Sequence, residues 1–328
     1  MRETAISRPT VGITMGDPAG IGPEVIVKAL KRVQLQRQCL PLVIGASAVM
    51  RRAGGEGLSV IDCCKLDLRK ISPGKISLAA GQAAAAAIQA ATQMALDGQL
   101  AAVVTAPISK QALHLAGHLY PGQTEFLADL TKTSRFAMML VGKALRVALV
   151  TTHLPLSRVS SAITTKGVFD TILMAHSALK GDFGIQRPRV AVCALNPHAG
   201  DGGIFGDQEE RIIAPAIREA CHREILASGP FPADTLFSPP MRQKYDVFVA
   251  MYHDQGLIPI KMGSFGTAVN TTLGLPIIRT SPDHGTAFQI AGQGKANPAS
   301  MIKAIQLATQ LAKTRRESSL DESVDRGV

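Results

Sequence analysis

Apolar residues in this chain occur in short continuous runs that are followed at once by polar or glycine-rich segments. Such runs occupy residues 11–15, 42–45, 101–105, 136–141, 145–150 and 190–195. Runs of this length are typical of strands buried on both faces. Segments with high helical propensity or with amphipathic spacing lie between and after these runs, at residues 81–96, 157–179, 208–227 and 298–315. The alternation predicts an α/β protein with a mixed, mostly parallel sheet, and the turn Gly142-Lys143 predicts a hairpin between residues 136–141 and 145–150.

Three apolar runs end at a histidine. His153 follows residues 145–150, His198 follows residues 190–195, and His253 follows the run that opens DVFVAMYHDQGLIPIK, residues 246–261. Ligands of open α/β sheets bind at the carboxyl ends of the strands, so histidines in this setting can converge. Three imidazoles plus an open position describe a catalytic metal site. We therefore predict one shared divalent ion, although any one histidine alone is more simply a hydrogen-bonded residue of a polar rim.

Other polar residues near predicted strand ends are candidates as well. Asp254 and Lys261 lie in the same stretch as His253. The first strand runs into GDPAGIGPE, residues 16–24, where glycines permit a tight turn and Pro23 suits the first turn of a helix. An anion or substrate could bind at that helix N-terminus, but a purely structural turn explains the glycines equally well. The segment is not GxGxxG, so it predicts no Rossmann-type nucleotide site. Asp17, at the strand exit, could orient a polar partner.

Composition narrows the class of protein. The chain has 328 residues, 46% of them hydrophobic, which allows a full core and two lobes. Its net charge of +10 is dispersed, Trp is absent and aromatic residues make up 4% of the chain, so we expect anionic small substrates and no nucleic-acid partner, with nucleic-acid binding as the alternative class. No apolar run approaches the ~20 residues of a membrane span, and we expect no signal peptide and no membrane partner. Five cysteines without CxxC spacing suit a reducing cytoplasm.

Five sequence blocks resemble a known family. GITMGDPAGIGPEV, VTTHLPL, LNPHAGDGGIFGDQE, MYHDQGLIPIK and NTTLGLPIIRTSPDHGTAF are similar to the signature blocks of the 4-hydroxythreonine-4-phosphate dehydrogenase family of vitamin B6 biosynthesis. The resemblance extends from about residue 11 to residue 312. It implies two α/β/α lobes like those of isocitrate and isopropylmalate dehydrogenases. We expect residues 1–125 plus 270–315 to form the first lobe, residues 126–269 the second, and residues 316–328 a disordered tail.

The resemblance also implies an activity. It predicts oxidative decarboxylation of a 3-hydroxy acid, dependent on NAD or NADP and on one divalent metal (Zn, Mg, Co or Mn), in a homodimer whose active site lies at the subunit interface. The expected substrate is 4-hydroxythreonine 4-phosphate, in pyridoxal phosphate biosynthesis. Alternatives within the family are a phosphorylated sugar acid of the 4-phosphoerythronate or threonate type and a cis-dihydrodiol dicarboxylate of the terephthalate type. A catalytically inactive metal- or anion-binding homologue is the alternative outside enzymes.

The family's functional residues can be carried over to positions of this sequence. The metal ligands implied are His153, His198 and His253, in agreement with the strand ends. Lys261 and Asp254 are implied as catalytic residues. The substrate-binding residues implied are Gln123, Thr124, Lys261, Asn270 and Arg279. The dinucleotide is expected along Gly274, Leu275, Pro276, Asp283, His284, Gly285 and Thr286.

One departure from the family pattern bears on the substrate. Where the family has Gly-His-Thr-Glu, this chain has Gly122, Gln123, Thr124 and Glu125. Glutamine can donate a hydrogen bond but cannot carry positive charge or shuttle a proton. We expect Gln123 to weaken the preference for a phosphate ester; the alternative is that it donates the same hydrogen bond and nothing changes.

Overall fold

The computed structural model describes residues 8–325, with side chains through residue 318, and it divides into two compact units. The first unit takes in the described part of Met1–Ser134 together with Leu275–Lys313, and the second takes in Arg135–Gly274 with the described part of Thr314–Val328. The expected lobe boundaries after residues 125 and 269 therefore fall instead after Ser134 and Gly274. The first expected boundary would have cut the helix Gln123–Leu130, which buries its apolar residues within the first unit.

Strands and helices alternate through most of the described chain. The strands are β1 (Thr10–Thr14), β2 (Leu40–Gly45), β3 (Val60–Asp62), β4 (Ala102–Thr105), β5 (Ala137–Val141), β6 (Arg146–Leu149), β7 (Arg189–Cys193), β8 (Leu226–Phe231), β9 (Val247–Ala250), β10 (Val269–Leu273) and β11 (Arg279–Pro282). The α-helices are α1 (Gly22–Leu30), α2 (Val33–Gln38), α3 (Ser47–Arg52), α4 (Leu78–Leu96), α5 (Lys110–Leu115), α6 (Gln123–Leu130), α7 (Leu156–Ala162), α8 (Thr165–Gly181), α9 (Ala214–His222), α10 (Ala233–Leu236), α11 (Pro239–Arg242), α12 (His253–Ser264) and α13 (Ala299–Asp325). Shorter 3-10 turns lie at Leu68–Lys70, Pro197–Gly200 and Phe288–Ile290, and a π-helical turn lies at Glu209–Ile213.

The strands of the first unit run parallel in the order β3-β2-β1-β4-β11. The Ala-rich helix α4 packs against β1, β2 and β4. Its small side chains also let α5 approach closely: a Cβ on Gly81 would lie 1.9 Å from the Ala112 carbonyl oxygen. Glycine is therefore required at that position.

The strands of the second unit follow the order β10-β5-β6-β9-β7-β8. The pairs β10–β5 and β5–β6 are antiparallel, and β6, β9, β7 and β8 are parallel. The hairpin predicted around Gly142-Lys143 is confirmed, as is the α/β class with a mixed, mostly parallel sheet. Side chains of β9 alternate between two buried clusters, Val247 and Val249 in one and Phe248 and Ala250 in the other. Burial on both faces is the reason that this strand has a continuous apolar sequence.

Two expectations about helices were wrong. The helix expected at residues 157–179 is broken into α7 and α8, because Thr164 caps α8 by accepting a hydrogen bond from the Gly167 backbone N–H. The helix expected at residues 208–227 ends at His222, and the strand β8 follows it. Glu224 between them has a φ of 61°, a left-handed conformation that stops a helix.

Residues 263–294 were expected to lack regular structure, but they contain β10 and β11. The buried residues Thr271, Thr272 and Thr280 are β-branched and suit strands. The glycines of this stretch lie outside the two strands, Gly274 and Pro276 lie in the turn between them, and Pro282 ends β11.

The tail expected to be disordered is helical as far as Asp325, since α13 contains no glycine or proline after Ala299. Residues 326–328, the rest of that expected tail, lie outside the described residues. Within the described chain, no helix combines the length and the apolar character needed to cross a membrane.

Candidate functional site

The predicted metal ligands follow three neighbouring parallel strands of the second unit. His153 comes after β6, His253 after β9 and His198 after β7, and β9 lies between the other two strands. Because parallel strands share one carboxyl edge, all three exits lie at the same edge of this sheet. The rings of His153 and His253 have centroids 5.8 Å apart. The structure therefore brings two of the three predicted ligands together.

His198 lies on an unusual turn. His198, Ala199 and Asp201 have φ values of 53°, 54° and 44°, and Gly200 between them has a φ of 83°. Each left-handed non-glycine residue costs roughly 1–2 kcal/mol, so other contacts must hold this turn. The His198 ring lies 6.1 Å from the Phe205 ring. Among residues 8–318, no three His, Cys, Asp or Glu side chains lie close enough to hold a metal ion.

The chemistry of these side chains nonetheless suits a divalent ion. Nδ1 of His253 lies 2.7 Å from Oδ1 of Asp254. A carboxylate only accepts, so this hydrogen bond places the proton on Nδ1 and leaves the Nε2 lone pair for a ligand. Carboxylates that orient histidines in this way are common around bound metals. Imidazole donors at three adjacent strand ends, one of them oriented by a carboxylate, fit a divalent ion.

Hydrogen bonds link the exits of the three strands to one another. Thr151, after β6, donates its hydroxyl to the Met251 carbonyl at 2.7 Å. The Gln255 side chain accepts from the Met251 backbone N–H and donates to the Ala194 carbonyl, both at 2.7 Å. Gln255 thus ties the exit of β9 to that of β7. Gln255 was not among the residues predicted from the sequence, although its position two residues after His253 was a usable signal.

A buried carboxylate holds the chain that leads to His198. Glu209 is 3% exposed and accepts hydrogen bonds from the backbone N–H groups of Leu195 and Asn196, at 2.8 and 2.7 Å. It also accepts from Nδ2 of Asn196 at 2.9 Å. These bonds fix the segment immediately before the strained turn. This role of Glu209 is not predictable from the sequence, because Glu209 resembles any acidic residue in the first turn of a helix.

A pocket of about 650 Å³ opens beside these residues in the second unit. Its walls include polar groups of His198, Asp254 and Gln255 together with the apolar Phe237 and Ile258. Pockets of this size, with a few polar groups among apolar walls, accommodate small molecules.

The second unit also carries two of the predicted substrate-binding residues. Lys261 is half-buried on α12, two turns after His253 on the same helix. Asn270 lies on β10, where its Nδ2 contacts the Met138 sulfur at 3.2 Å. Its Oδ1 is buried with no hydrogen-bond partner.

The first unit contains the other predicted substrate-binding residues. Gln123 and Thr124 form the first turn of α6, and both are half-buried. Nε2 of Gln123 donates to the Ala106 carbonyl at 2.9 Å, while its Oε1 is buried without a partner. Arg279, on β11, is only 3% exposed and donates from Nε and Nη2 to the Thr105 hydroxyl, at 3.0 and 2.7 Å.

Burial lowers the pKa of Arg279 but leaves the side chain charged. It lowers the pKa of the guanidinium to about 10, against the opposing effect of the nearby Glu125 carboxylate. The group therefore stays protonated at neutral pH. A buried cation is stabilised by anionic partners, so Arg279 suits an environment that receives a carboxylate or phosphate.

The segment predicted to bind the dinucleotide begins at a glycine with a structural role. Gly274 has a φ of 86°, and a Cβ there would lie 2.4 Å from the Arg135 carbonyl oxygen. Leu275 is buried, whereas Pro276 and Gly285 are exposed. Close approach of the backbone explains glycine at position 274 without a cofactor.

The rest of that segment packs on the glycine-rich loop of the first unit. The Thr286 carbonyl accepts from the Ile21 backbone N–H at 3.0 Å, and a Cβ on Gly20 would lie 3.0 Å from Cβ of Thr286. The Asp283 backbone N–H donates to the Ser300 hydroxyl at 3.1 Å. His284 has its Nε2 buried without a partner. Two segments that are distant in sequence, residues 16–24 and 283–286, thus form one surface.

Asp17 lies in that same glycine-rich loop and is fully buried. Its Oδ1 accepts from the Ala19 backbone N–H at 2.8 Å, but Oδ2 has no partner. Burial raises the pKa of this carboxyl, and the hydrogen bond from the Ala19 backbone only partly offsets the effect.

Three of the predicted substrate- and cofactor-binding residues thus have a buried polar atom without a hydrogen-bond partner: Gln123, Asn270 and His284. Such atoms are rare in folded proteins, and each requires an explanation. Polar atoms of a ligand at each of these positions would supply the missing partner.

Comparison with known proteins gives matches along most of the chain. The sequence model described as "Pyridoxal phosphate biosynthetic protein PdxA" matches residues 21–308. A 4-hydroxythreonine-4-phosphate dehydrogenase of Desulforapulum autotrophicum is 46% identical, over 92% of this chain and 95% of its own length. A D-threonate 4-phosphate dehydrogenase of Salmonella typhimurium is 45% identical, over 92% and 99%. The crystal structure of a 4-hydroxythreonine-4-phosphate dehydrogenase from Klebsiella pneumoniae aligns with a TM-score of 0.83 at 41% identity, covering 93% of this chain and 99% of that chain.

Proposed function

This chain belongs to the family of the pyridoxal phosphate biosynthetic protein PdxA, and we propose that it oxidises the secondary alcohol of 4-hydroxythreonine 4-phosphate with NAD or NADP. The product of that step is a β-keto acid, which loses carbon dioxide. The family expected from the sequence blocks is thereby confirmed. The observation that carries the proposal is the set of imidazoles at three adjacent strand ends, in a chain that matches dehydrogenases over nearly its whole length.

Two groups from outside the chain would supply the redox and Lewis-acid chemistry. A divalent ion held by His153, His198 and His253 would lower the pKa of the substrate alcohol and stabilise negative charge on its oxygen. A nicotinamide dinucleotide would accept the hydride, and we assign its binding to the segment that runs from Leu275 to Thr286 and to Gly274 before it.

The chain's own residues would orient the substrate and move protons. Asp254 holds the His253 ring in one tautomer. We assign to Lys261 the contact with substrate oxygens and the transfer of a proton. Its half-buried position on the same helix as His253 supports this assignment. Arg279 supplies a permanent buried positive charge for a carboxylate or phosphate, and Asn270 and Thr124 supply polar contacts.

D-threonate 4-phosphate is a second candidate substrate. A dehydrogenase named for it is 45% identical to this chain, nearly as similar as the relative named for 4-hydroxythreonine 4-phosphate. The two compounds share the phosphate and the alcohol, and they differ in having a hydroxyl or an amino group beside the carboxylate. A polar side chain that contacts that carbon could therefore select between them.

We propose in addition that the enzyme acts as a homodimer. Helix α12 and the residue after it expose three large apolar side chains: Ile258 is 58% exposed, Met262 85% and Phe265 86%. Apolar side chains exposed together usually mark a protein contact. They follow His253 along the same helix, which supports a subunit interface next to the metal-binding histidines.

The experiment that tests the proposal is a matrix of substrates and cofactors. Purified protein is incubated with NAD or NADP, with Mg, Mn, Co or Zn, and with each of 4-hydroxythreonine 4-phosphate, D-threonate 4-phosphate, 4-phosphoerythronate and the terephthalate dihydrodiol. We expect reduced dinucleotide and carbon dioxide in equal amounts, with the highest kcat/KM for a phosphorylated substrate. Turnover of the dihydrodiol alone would overturn the substrate assignment. Metal binding without turnover of any compound would favour the inactive homologue.

A further inference from the structure

The five cysteines of this chain lie in three different settings. Cys39 and Cys193 are fully buried, and burial raises the pKa of both thiols, which makes them unreactive. Cys221 is exposed and has no cysteine beside it in sequence. Cys63 and Cys64 are adjacent and half-buried. Neither of this pair belongs to the proposed site, and nothing in the proposed reaction uses them.

The adjacent pair follows β3, which is an edge strand of the sheet. The Cys63 backbone N–H donates to the Gly45 carbonyl at 3.0 Å, so the backbone is anchored as far as Cys63. The Cys63 sulfur lies 3.7 Å from the same carbonyl oxygen. Cys64 follows at a bend, after the strand pairing has ended. One thiol is therefore fixed to the sheet and its neighbour lies on the turning chain.

The two adjacent thiols also influence each other's protonation. A hydrogen bond between their side chains lowers the pKa of Cys64, although burial and the nearby Asp62 oppose the effect. The same hydrogen bond raises the pKa of Cys63. The thiolate, when it forms, is thus favoured on Cys64, with Cys63 as its proton-bearing neighbour. Because the thiolate is the reactive form, Cys64 is the better nucleophile of the pair.

We propose that Cys63 and Cys64 form a vicinal dithiol that reacts as one unit with low-molecular-weight disulfides and closes reversibly to an intramolecular disulfide. In the first step the Cys64 thiolate attacks a sulfur of glutathione disulfide. A mixed disulfide forms, and one glutathione thiolate leaves and takes up a proton. In the second step Cys63 loses its proton to solvent and attacks the Cys64 sulfur, which releases the second glutathione. The protein loses two electrons and two protons, and the oxidant becomes two glutathione thiols.

Covalent geometry makes this disulfide reducible rather than structural. Cα atoms of adjacent residues lie about 3.8 Å apart, below the usual range of about 4.4–6.8 Å for disulfide-linked cysteines. A disulfide between neighbours therefore stores strain, and strained disulfides have more oxidising potentials. The half-buried position at the end of an edge strand gives a small disulfide access to the thiols. These properties suit a reversible modification site and not a stabilising cross-link.

Intact-protein and peptide mass spectrometry after incubation with glutathione disulfide test the proposal. In the wild-type protein we expect Cys221 to carry a glutathione adduct, whereas the peptide with Cys63 and Cys64 loses the mass of two hydrogens and carries no adduct. In Cys63→Ser the second step is impossible, so a glutathione adduct should accumulate on Cys64. Dithiothreitol should restore both proteins. Cys221→Ser is the matched control, which should lose only the adduct at its own position.

Two results would overturn the proposal. One is a stable glutathione adduct on Cys64 in the wild-type protein, which would show that Cys63 does not displace it. The other is the absence of any change at Cys63 and Cys64 under conditions that modify Cys221. Because the wild-type protein alone decides both, the test does not depend on the folding of a variant. The proposal is also independent of the assigned substrate.

Discussion

Gln123 donates its side-chain N–H to the carbonyl oxygen of Ala106 at 2.9 Å, and this bond fixes the orientation of the amide. A carbonyl can only accept, so Nε2 must face Ala106, and Oε1 is left as a buried acceptor with no partner. A phosphate oxygen is also an acceptor, so Oε1 cannot form a hydrogen bond with it. A hydroxyl or amino group would suit Oε1 better.

This orientation sharpens the expected effect of Gln123→His. A charge-assisted hydrogen bond exceeds a neutral one by roughly 1 kcal/mol, or about fivefold in binding. We expect kcat/KM for 4-hydroxythreonine 4-phosphate to rise about fivefold and kcat/KM for a dicarboxylate diol to stay the same or fall. Steady-state kinetics on both substrates measure the ratio. An unchanged ratio would mean that Gln123 already provides an equivalent hydrogen bond, and Gln123→Met would then show whether that bond matters.

The three histidines should bind one divalent ion jointly. Changes in residues that only orient metal ligands typically cost 10–100-fold in affinity, so removal of a ligand should cost more than about a hundredfold. We expect His153→Ala, His198→Ala and His253→Ala each to lower the metal content of purified protein sharply, and chelation to abolish turnover. Metal analysis after dialysis gives the content, with the exposed His222→Ala as control. Full occupancy in all three variants would contradict a shared site.

Glu209 should affect both stability and the metal site. Glu209→Ala leaves the backbone N–H groups of Leu195 and Asn196 without an acceptor, and unsatisfied buried groups cost roughly 1–3 kcal/mol each. Both hydrogen bonds are only partly buried, so water offsets part of this cost, and we expect the free energy of unfolding to fall by about 2–4 kcal/mol. The neighbouring Glu210 is exposed, so Glu210→Ala is a matched control that should change little.

A metal titration distinguishes two roles of Glu209: positioning the turn that carries His198, and stabilising the fold as a whole. If Glu209 positions the turn that carries His198, the metal affinity of folded Glu209→Ala should fall, whereas a merely structural role would leave it unchanged below the unfolding transition.

The fold was predictable where the pattern was local. Apolar runs mark the strands β6, β7 and β9, because both faces of these strands are buried and the side chains on both faces are therefore apolar. The end of each run lies close to the end of the strand. The glycines of residues 16–24 likewise indicated a tight turn, which the structure has. The resemblance to a family then fixed the class of the whole chain.

Other features depend on partners that are distant in sequence. Gln255 and Glu209 form hydrogen bonds with backbone groups of residues 194–196, and these partners cannot be identified from the local sequence, although the position of Gln255 next to His253 marks it as a candidate. The strand β11 begins at Arg279, whose hydrogen-bond partner Thr105 lies 174 residues earlier. Four consecutive residues of the turn, 198–201, have positive φ angles, and only one of them is glycine. The sequence therefore gave no sign of the left-handed conformation.

Asp17 should make stability depend on pH. Burial raises the pKa of its carboxyl in the folded protein, so the folded state binds this proton more tightly than the unfolded state. Protonation of Asp17 therefore stabilises the folded protein. This contribution to the free energy of unfolding is fully present below pH 3.8, the pKa of the carboxyl in the unfolded chain, and is lost as the pH rises through the higher pKa of the folded state.

The variant Asp17→Asn removes this titration and keeps an acceptor for the Ala19 N–H. Its free energy of unfolding relative to the wild type should therefore increase between about pH 4 and about pH 7. Denaturant unfolding at both pH values measures the difference, with the exposed Asp97→Asn as control. A difference that shrinks as the pH rises would contradict the buried, destabilising carboxylate.

The exposed apolar side chains at the end of α12 should hold two subunits together. Truncating or charging a central interface residue costs 2 kcal/mol or more, which is about 30-fold in the dissociation constant. We expect Met262→Asp and Phe265→Asp to dissociate the dimer and to lower kcat/KM in parallel. Analytical ultracentrifugation under assay conditions measures the first effect. Leu119→Asp, at an apolar residue that is 78% exposed in the first unit, should leave the dimer intact. A fully active monomer would contradict the proposed dimer requirement.

The discontinuity of the first unit sets the order in which the nascent chain can complete its two units. Strand β4 pairs with β11 through Val103 and Arg279, so the ribosome must synthesise most of the chain before β4 obtains its second neighbour. Until then β4 presents an open edge, and unpaired strand edges promote association between chains. All strands of the second unit emerge before Arg279. The first unit is therefore the last to complete its sheet. During synthesis its unpaired strand β4 needs protection from association with other chains for longer than any strand of the second unit.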